Sequence, residues 1–160
     1  MKIARRIVLF TLTFSLFAAA DPFVGTWKLN AGQSKFEKGA PGFFFATMQI
    51  ESAGSGLKSN ASAADGEGIS SDLTFSCQLD GTPCKVITST SLRSASAVDT
   101  ITMKRVDANT IMATGRRNNK LVYTDRRVVS ADGKTMTVIR DGTTPAGKPY
   151  ESTIILDRLP

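Results

Sequence analysis

The chain of 160 residues holds 20 Lys and Arg against 14 Asp and Glu, a formal charge of +6, and contains two cysteines and no histidine. Without histidine it lacks the usual general base of nucleophilic triads and the commonest ligand of zinc, copper and non-haem iron, while two cysteines cannot complete a four-thiolate cluster. The length suits one domain, no metal or cofactor is expected, and any catalysis would fall to carboxylates, lysines and hydroxyls.

The first twenty residues read as a secretory signal. Lys2, Arg5 and Arg6 form a positive start, Ile7 to Phe17 an apolar run of 11 residues, and Ala18-Ala19-Ala20 a small-residue cleavage site. The run is about half of the roughly 20 apolar residues that a membrane-spanning helix needs. The expectation is cleavage after Ala20, export to the periplasm or beyond, no integral membrane segment afterwards, and one domain over 21–160. Taking Lys2, Arg5 and Arg6 from the 20 basic residues leaves 17 against 14 acidic, a net +3. Nucleic acid is therefore not an expected partner, since its affinity comes from neutralised phosphates. After Ser96 the chain has 11 basic and 7 acidic residues, with Arg116-Arg117, Lys120 and Arg126-Arg127 prominent. On a hairpin these form a basic rim, either a charge-blunted strand edge or an anion-recognising surface.

Past Ala20, alternation with period two marks half-buried strands. Phe23, Gly25, Trp27 and Leu29 share one face of the first, with Thr26, Lys28 and Asn30 on the other. Ala31 to Phe43, with Gly39-Ala40-Pro41-Gly42 inside it, reads as a long first connection. Phe44, Ala46, Met48 and Ile50 share a face of the next strand. Leu57 to Ala64 alternates loosely and reads as a short edge or gap-lining strand. Ile69, Leu73, Phe75 and Cys77 resume the clear pattern. Turn signals at Gly54-Ser55-Gly56, Asp65-Gly66-Glu67-Gly68, Asp80-Gly81, Arg93 to Ser96, Asp107-Ala108-Asn109, Asn118-Asn119, Asp132-Gly133 and Pro145-Ala146-Gly147 punctuate the chain every 8 to 12 residues or so. No segment after Ala20 sustains a helical period. The fold class is all-β: an antiparallel up-and-down meander of 8–10 strands closed as a barrel, with a β-sandwich as the alternative.

The cysteines follow from one turn. With Asp80-Gly81 as a two-residue hairpin loop, Cys77 faces Cys84 on a hydrogen-bonded pair, where Cα atoms sit about 5.5 Å apart and a disulfide fits. Pro83 falls on the neighbouring non-hydrogen-bonded pair, where its missing N–H costs nothing within the hairpin. An exported chain can oxidise such a pair.

Gly25-Thr26-Trp27, on a first strand ahead of a β-meander, resembles the Gly-x-Trp signature of the calycin superfamily, the lipocalins and intracellular fatty-acid-binding proteins. Phe23 to Leu29 is especially similar to the opening of the fatty-acid-binding proteins. Over nearly the whole mature chain, Ser34-Lys35-Phe36, Lys104-Arg105-Val106-Asp107, Arg126-Arg127-Val128-Val129-Ser130 and Asp132-Gly133-Lys134-Thr135 resemble a group of small secreted bacterial lipocalin-like proteins, a likeness that carries a fold and no substrate. The resemblance implies that Trp27 packs across the closed end of a barrel, that Gly25 admits close backbone approach and that Arg158 covers the indole. Two features depart from the fatty-acid-binding pattern. The 13 residues of Ala31 to Phe43 are too few for a helix-turn-helix cap, and Ser152-Thr153-Ile154-Ile155-Leu156 stands where an Arg-x-Tyr carboxylate clamp would be.

Other arginines face inward by alternation: Arg127 with Leu121, Tyr123 and Val129, and Arg140 with Met136 and Val138. A buried arginine is costly without a carboxylate, so each is either paired with an internal acid or open to an anionic ligand. The leading functional expectation is a monomeric exported protein that binds a small hydrophobic or amphipathic ligand, with an anionic ligand included. Met48, Met103, Tyr123, Arg127, Met136 and Arg140 are its candidate contacts, and Ala46, Ala61, Ala63, Ala113 and Gly115 would leave it room. The alternatives are an envelope interaction protein without a ligand and a hydrolase using two of Asp99, Asp125 and Glu151.

Overall fold

Apolar–polar alternation broken by turn residues builds strands and no helix. The computed structural model describes residues 20–38, 40, 45–64, 70–88, 98–144 and 147–160. The expected signal segment up to residue 19, the turns at 65–68 and 93–96 and most of that at 39–42 lie outside them. The strands are β1 (Gly25–Leu29), β2 (Lys35–Phe36), β3 (Phe45–Ala53), β4 (Gly56–Ala64), β5 (Ser70–Gln78), β6 (Asp80–Thr88), β7 (Thr100–Asp107), β8 (Thr110–Arg117), β9 (Lys120–Val129), β10 (Thr135–Thr143) and β11 (Pro149–Arg158).

From β3 to β11 each strand pairs antiparallel with the next, and β1 pairs with both β3 and β11, which closes the sheet into a barrel. β1 meets β11 at Leu156 to Arg158, whereas β2 meets the same edge at Ser152 and Thr153. The two are halves of one bent strand, so the barrel has ten ribs. The bend is held locally. Ser34 donates from Oγ to Asn30 O, Gln33 N donates to Asn30 Oδ1, and Asn30 Nδ2 donates to Asp157 Oδ2. The long first connection expected from the sequence thus contains a strand of the barrel.

β4 is a second correction. It is nine residues long and paired on both sides, with β3 and with β5. Closure removes edges. Its small inward residues are tolerated because the opposed ones supply bulk: Ser59 lies between Ile50 and Phe75, and Ala61 between Met48 and Leu73.

The β5–β6 hairpin keeps opposed residues in the register expected from Asp80-Gly81, as in Leu73 against Thr88 and Phe75 against Val86. Gly81 takes a φ of 95° and Asp80 Oδ1 accepts from Thr82 N. The same register sets Cys77 opposite Cys84, and the two form a disulfide with Cα atoms 5.3 Å apart.

Directly opposed residues share a face, so the register sorts the interior into levels. Around the end where β1 begins, Phe23, Trp27, Ile111, Met136, Val129 and Leu156 pack into an apolar plug. Trp27 Nε1 donates to Phe23 O at 2.9 Å, and the Arg158 guanidinium lies over the indole at 4.2 Å from its centroid. Arg158 also donates to the carbonyls of Pro22, Val24 and Gly133. Gly25, at φ 145°, leaves room for that guanidinium, which a Cβ would overlap. Along β3 to β6 toward the other end, the inward-facing Ala46, Met48, Ala61, Ala63, Leu73 and Val86 are only half-buried. The outer wall carries Thr47, Gln49, Asn60, Thr74, Lys104 and Thr114, with Ile87, Val106 and Leu121 among its exposed apolar side chains.

Candidate binding site

Tyr123, Asp125, Arg127 and Val129 alternate along β9 and all point inward. A one-residue irregularity in the β8–β9 pairing sets Arg116 against Leu121 but Gly115 against Tyr123, so Val122 is extra. Such a bulge shifts the face on which side chains before it point. Leu121, expected inside with Tyr123 and Arg127, is therefore exposed at 56%. Because the bulge precedes Tyr123, Arg127 stays on the inner wall.

Across the next ladder Asp125 faces Arg140, which in turn faces Ser152 on β11. Arg140 grips the carboxylate with two hydrogen bonds, Nε to Oδ1 at 2.7 Å and Nη2 to Oδ2 at 2.9 Å. Its guanidinium also lies 3.9 Å from the Tyr123 ring centroid. Arg127 donates once, from Nη2 to Asp125 Oδ2 at 2.9 Å, and its buried Nε has no partner. Both inward arginines are thus paired with an acid, and it is the same acid.

Burial alone would raise the Asp125 pKa. The charge and hydrogen bonds of Arg140, followed by those of Arg127, outweigh it and hold the carboxyl below the usual aspartate range. Burial would lower the Arg140 pKa, but Asp125 reverses that and holds it above the ordinary arginine value. Burial pushes the phenols of Tyr123 and Tyr150 up, so neither is an anion near neutrality. The cluster therefore holds two cations and one anion. Asp125 is the one buried acid among the described residues.

One level toward the half-buried end, β8 to β11 place Gly115, Tyr123, Gly142 and Tyr150 side by side. Each tyrosine ring lies over a glycine. A Cβ on Gly142 would come within 2.5 Å of the Tyr150 hydroxyl, and one on Gly115 within 2.6 Å of the Tyr123 ring. The room expected at Gly115 is filled by Tyr123 and Val98. Ser152 and, on the opposite wall, Ser59 have buried hydroxyls without hydrogen-bond partners.

Of the other expected contacts, Met103 and Met136 are fully buried core residues, while Met48 is half-buried on the more open wall. The three acids considered for hydrolysis are not brought together. Asp125 faces inward, Asp99 is exposed where it accepts from Asn118 N, and Glu151 is exposed on the outer wall. Among the described residues no three His, Cys, Asp or Glu side chains gather as a metal site would require. The roles of Asp125 as hub, of the Ser152 and Ser59 hydroxyls and of the Gly142–Tyr150 seat were not read from the sequence. Only the first had a signal, its spacing of two residues from both Tyr123 and Arg127. No protein-family model matches this sequence, nor does any curated protein.

Proposed function

We propose that the chain is an exported, calycin-like binding protein that holds a small apolar or amphipathic molecule inside its barrel. The observation that carries this reading is the unequal filling of the interior. One end is plugged by Trp27, Phe23 and Met136, whereas Ala46, Met48, Ala61, Ala63, Leu73 and Val86 face inward and remain half-buried. Ala46, Met48, Leu73 and Val86 touch the core on one side, and in a closed barrel half-buried apolar side chains on the inner wall gain by being covered further by a guest. Trp27 under Arg158, with Gly25 beside it, supports the calycin resemblance. The Cys77–Cys84 pair supports an oxidising compartment, in agreement with the signal-like character of residues 1–20. The test is fluorescence titration with the neutral apolar dye N-phenyl-1-naphthylamine, joined to native mass spectrometry of freshly purified protein. Saturable dye binding, competed by apolar molecules of similar size, is expected. No binding of the dye and no retained molecule across several chemical classes would remove the reading.

A further inference from the structure

We propose that the half-buried end of the barrel docks on an anionic lipid bilayer through the outer rim of β6 to β9. This surface is separate from the interior and does not depend on what the barrel holds. Register sets Lys85, Thr100, Arg116 and Leu121 opposite one another on four successive strands, and Arg117 and Lys120 flank the β8–β9 turn just beyond them. Lys85, Arg117 and Lys120 are exposed and Arg116 is half-buried. The ion pairs among the described residues lie elsewhere: Lys58 with Glu51, Arg105 with Asp21, and Arg127 and Arg140 with Asp125. Asp99, the acid of this rim, is committed to the turn, where it accepts from Asn118 N at 2.6 Å and from the Thr100 hydroxyl at 3.1 Å. Farther along the same wall Lys104 stands opposite Asp80, and past β9 the exposed Asp141 and Glu151 stand on β10 and β11. The excess of positive charge is therefore local to the rim.

Charge alone fits any polyanion, and the aliphatic side chains select among them. Leu121 is 56% exposed, turned outward by the extra residue at Val122, and Ile87, two residues along β6 from Lys85, is 70% exposed. The cations are thus flanked on β6 and on β9 by large aliphatic groups that the fold leaves uncovered. A sulfated or phosphorylated chain in water offers such groups nothing. A bilayer takes them at the boundary between headgroups and acyl chains while its headgroups hold the cations. Each Lys or Arg near an anionic leaflet strengthens partition about fivefold, and cations gathered at one end also orient the barrel on the surface.

The experiment is co-flotation of the purified protein with vesicles of phosphatidylcholine, alone or mixed with phosphatidylglycerol. It is run at about 0.1 M and about 1 M salt, between which the Debye length shrinks from about 10 to about 3 Å. Binding to the mixed vesicles at low salt is expected to exceed binding to phosphatidylcholine at least about tenfold and to fall at high salt. Arg117→Glu with Lys120→Glu should weaken it at least about tenfold. Lys28→Glu with Lys58→Glu makes the same change of net charge on β1 and β4, and should leave binding within about twofold. Leu121→Ser should weaken vesicle binding about threefold or more and leave binding to dextran sulfate unchanged. Should the rim reversal fail to fold by circular dichroism, Arg117→Gln with Lys120→Gln removes the charges alone and should give a smaller loss of the same kind. Equal binding to both vesicle types would overturn the anionic surface, and equal losses from the two charge reversals would overturn the assignment to this rim. Vesicle binding that Leu121→Ser leaves unchanged, with dextran sulfate bound as tightly, would overturn the bilayer in favour of a soluble polyanion.

Discussion

A lone carboxylate between two guanidinium groups is an asymmetric dependency. Removing Asp125 leaves two buried cations without a counter-ion, whereas removing Arg127 leaves a matched pair. Asp125→Asn is therefore expected to lose about 3 to 5 kcal/mol in urea unfolding, and replacement of all three by apolar residues of similar volume to lose far less. The pH dependence has a definite sign. Because the folded pKa of Asp125 is depressed, its contribution is complete above the unfolded value of about 4 and is lost as pH falls through the lower folded value. Stability of the wild type should thus fall below about pH 4, with the Asp125 share of that fall missing in Asp125→Asn. The exposed Asp80, Asp107 and Asp132 shift in the same direction through turn hydrogen bonds from Thr82 N, Asn109 N and the Ser130 hydroxyl. They set the background against which the variant is read. At the neighbouring level, Gly142→Ala forces a methyl group into the Tyr150 ring and should cost about 1 to 3 kcal/mol as overpacking. In a Tyr150→Ala background the same substitution should cost little, and a double-mutant cycle of chemical denaturation curves measures the coupling. Spacing along one strand makes Tyr123, Asp125 and Arg127 legible as a row. That Arg140 joins them is not, because it depends on a cross-strand register that no single segment encodes.

Among the elements, the most completely legible one is the β5–β6 hairpin, since the turn chemistry of Asp80-Gly81 alone sets which residues oppose. The disulfide follows from that register. A loop this short restricts few unfolded conformations, so Cys77→Ala with Cys84→Ala should lower stability by about 2 to 3 kcal/mol at most. The denaturation midpoint should fall without a change in its slope, whereas a changed slope would mean that the bridge alters the compactness of the unfolded chain instead. The β8–β9 hairpin shows where such reasoning stops. Asn118 and Asn119 both take positive φ, 49° and 62°, as the expected turn requires. Yet alternation counted back from Arg127 turns Leu121 to the wrong side, because the pairing shifts by one residue at Val122. Bulges answer to the curvature of a closing sheet, a property of the whole barrel that local composition does not carry. β2 was hidden for a related reason: two residues show no period, and Lys35 and Phe36 become a strand only through β11.

At the scale of the whole molecule, an interior packed at one end and half-buried at the other predicts opposite responses to the same change. Ala113 on β8 and Ala61 on β4 both face inward, but Ala113 is 1% exposed in the packed region while Ala61 is half-buried beside Met48 and Leu73. Adding three carbons at Ala113 must displace neighbours, so Ala113→Leu is expected to cost about 1 to 3 kcal/mol. Ala61 is half-buried, so if its wall is open to a ligand the stability of Ala61→Leu should change by less than about 1 kcal/mol in either direction. The space it enters is the space assigned to the ligand, so the variant should bind N-phenyl-1-naphthylamine at least about tenfold more weakly, equivalent to roughly 1.4 kcal/mol. The two readouts together separate a carrier from a solid barrel. If Ala61→Leu destabilises as much as Ala113→Leu, the β3–β6 wall is already packed and the interior has no place for a guest. If it leaves both stability and dye binding unchanged, the dye sits elsewhere and the barrel interior is not its site.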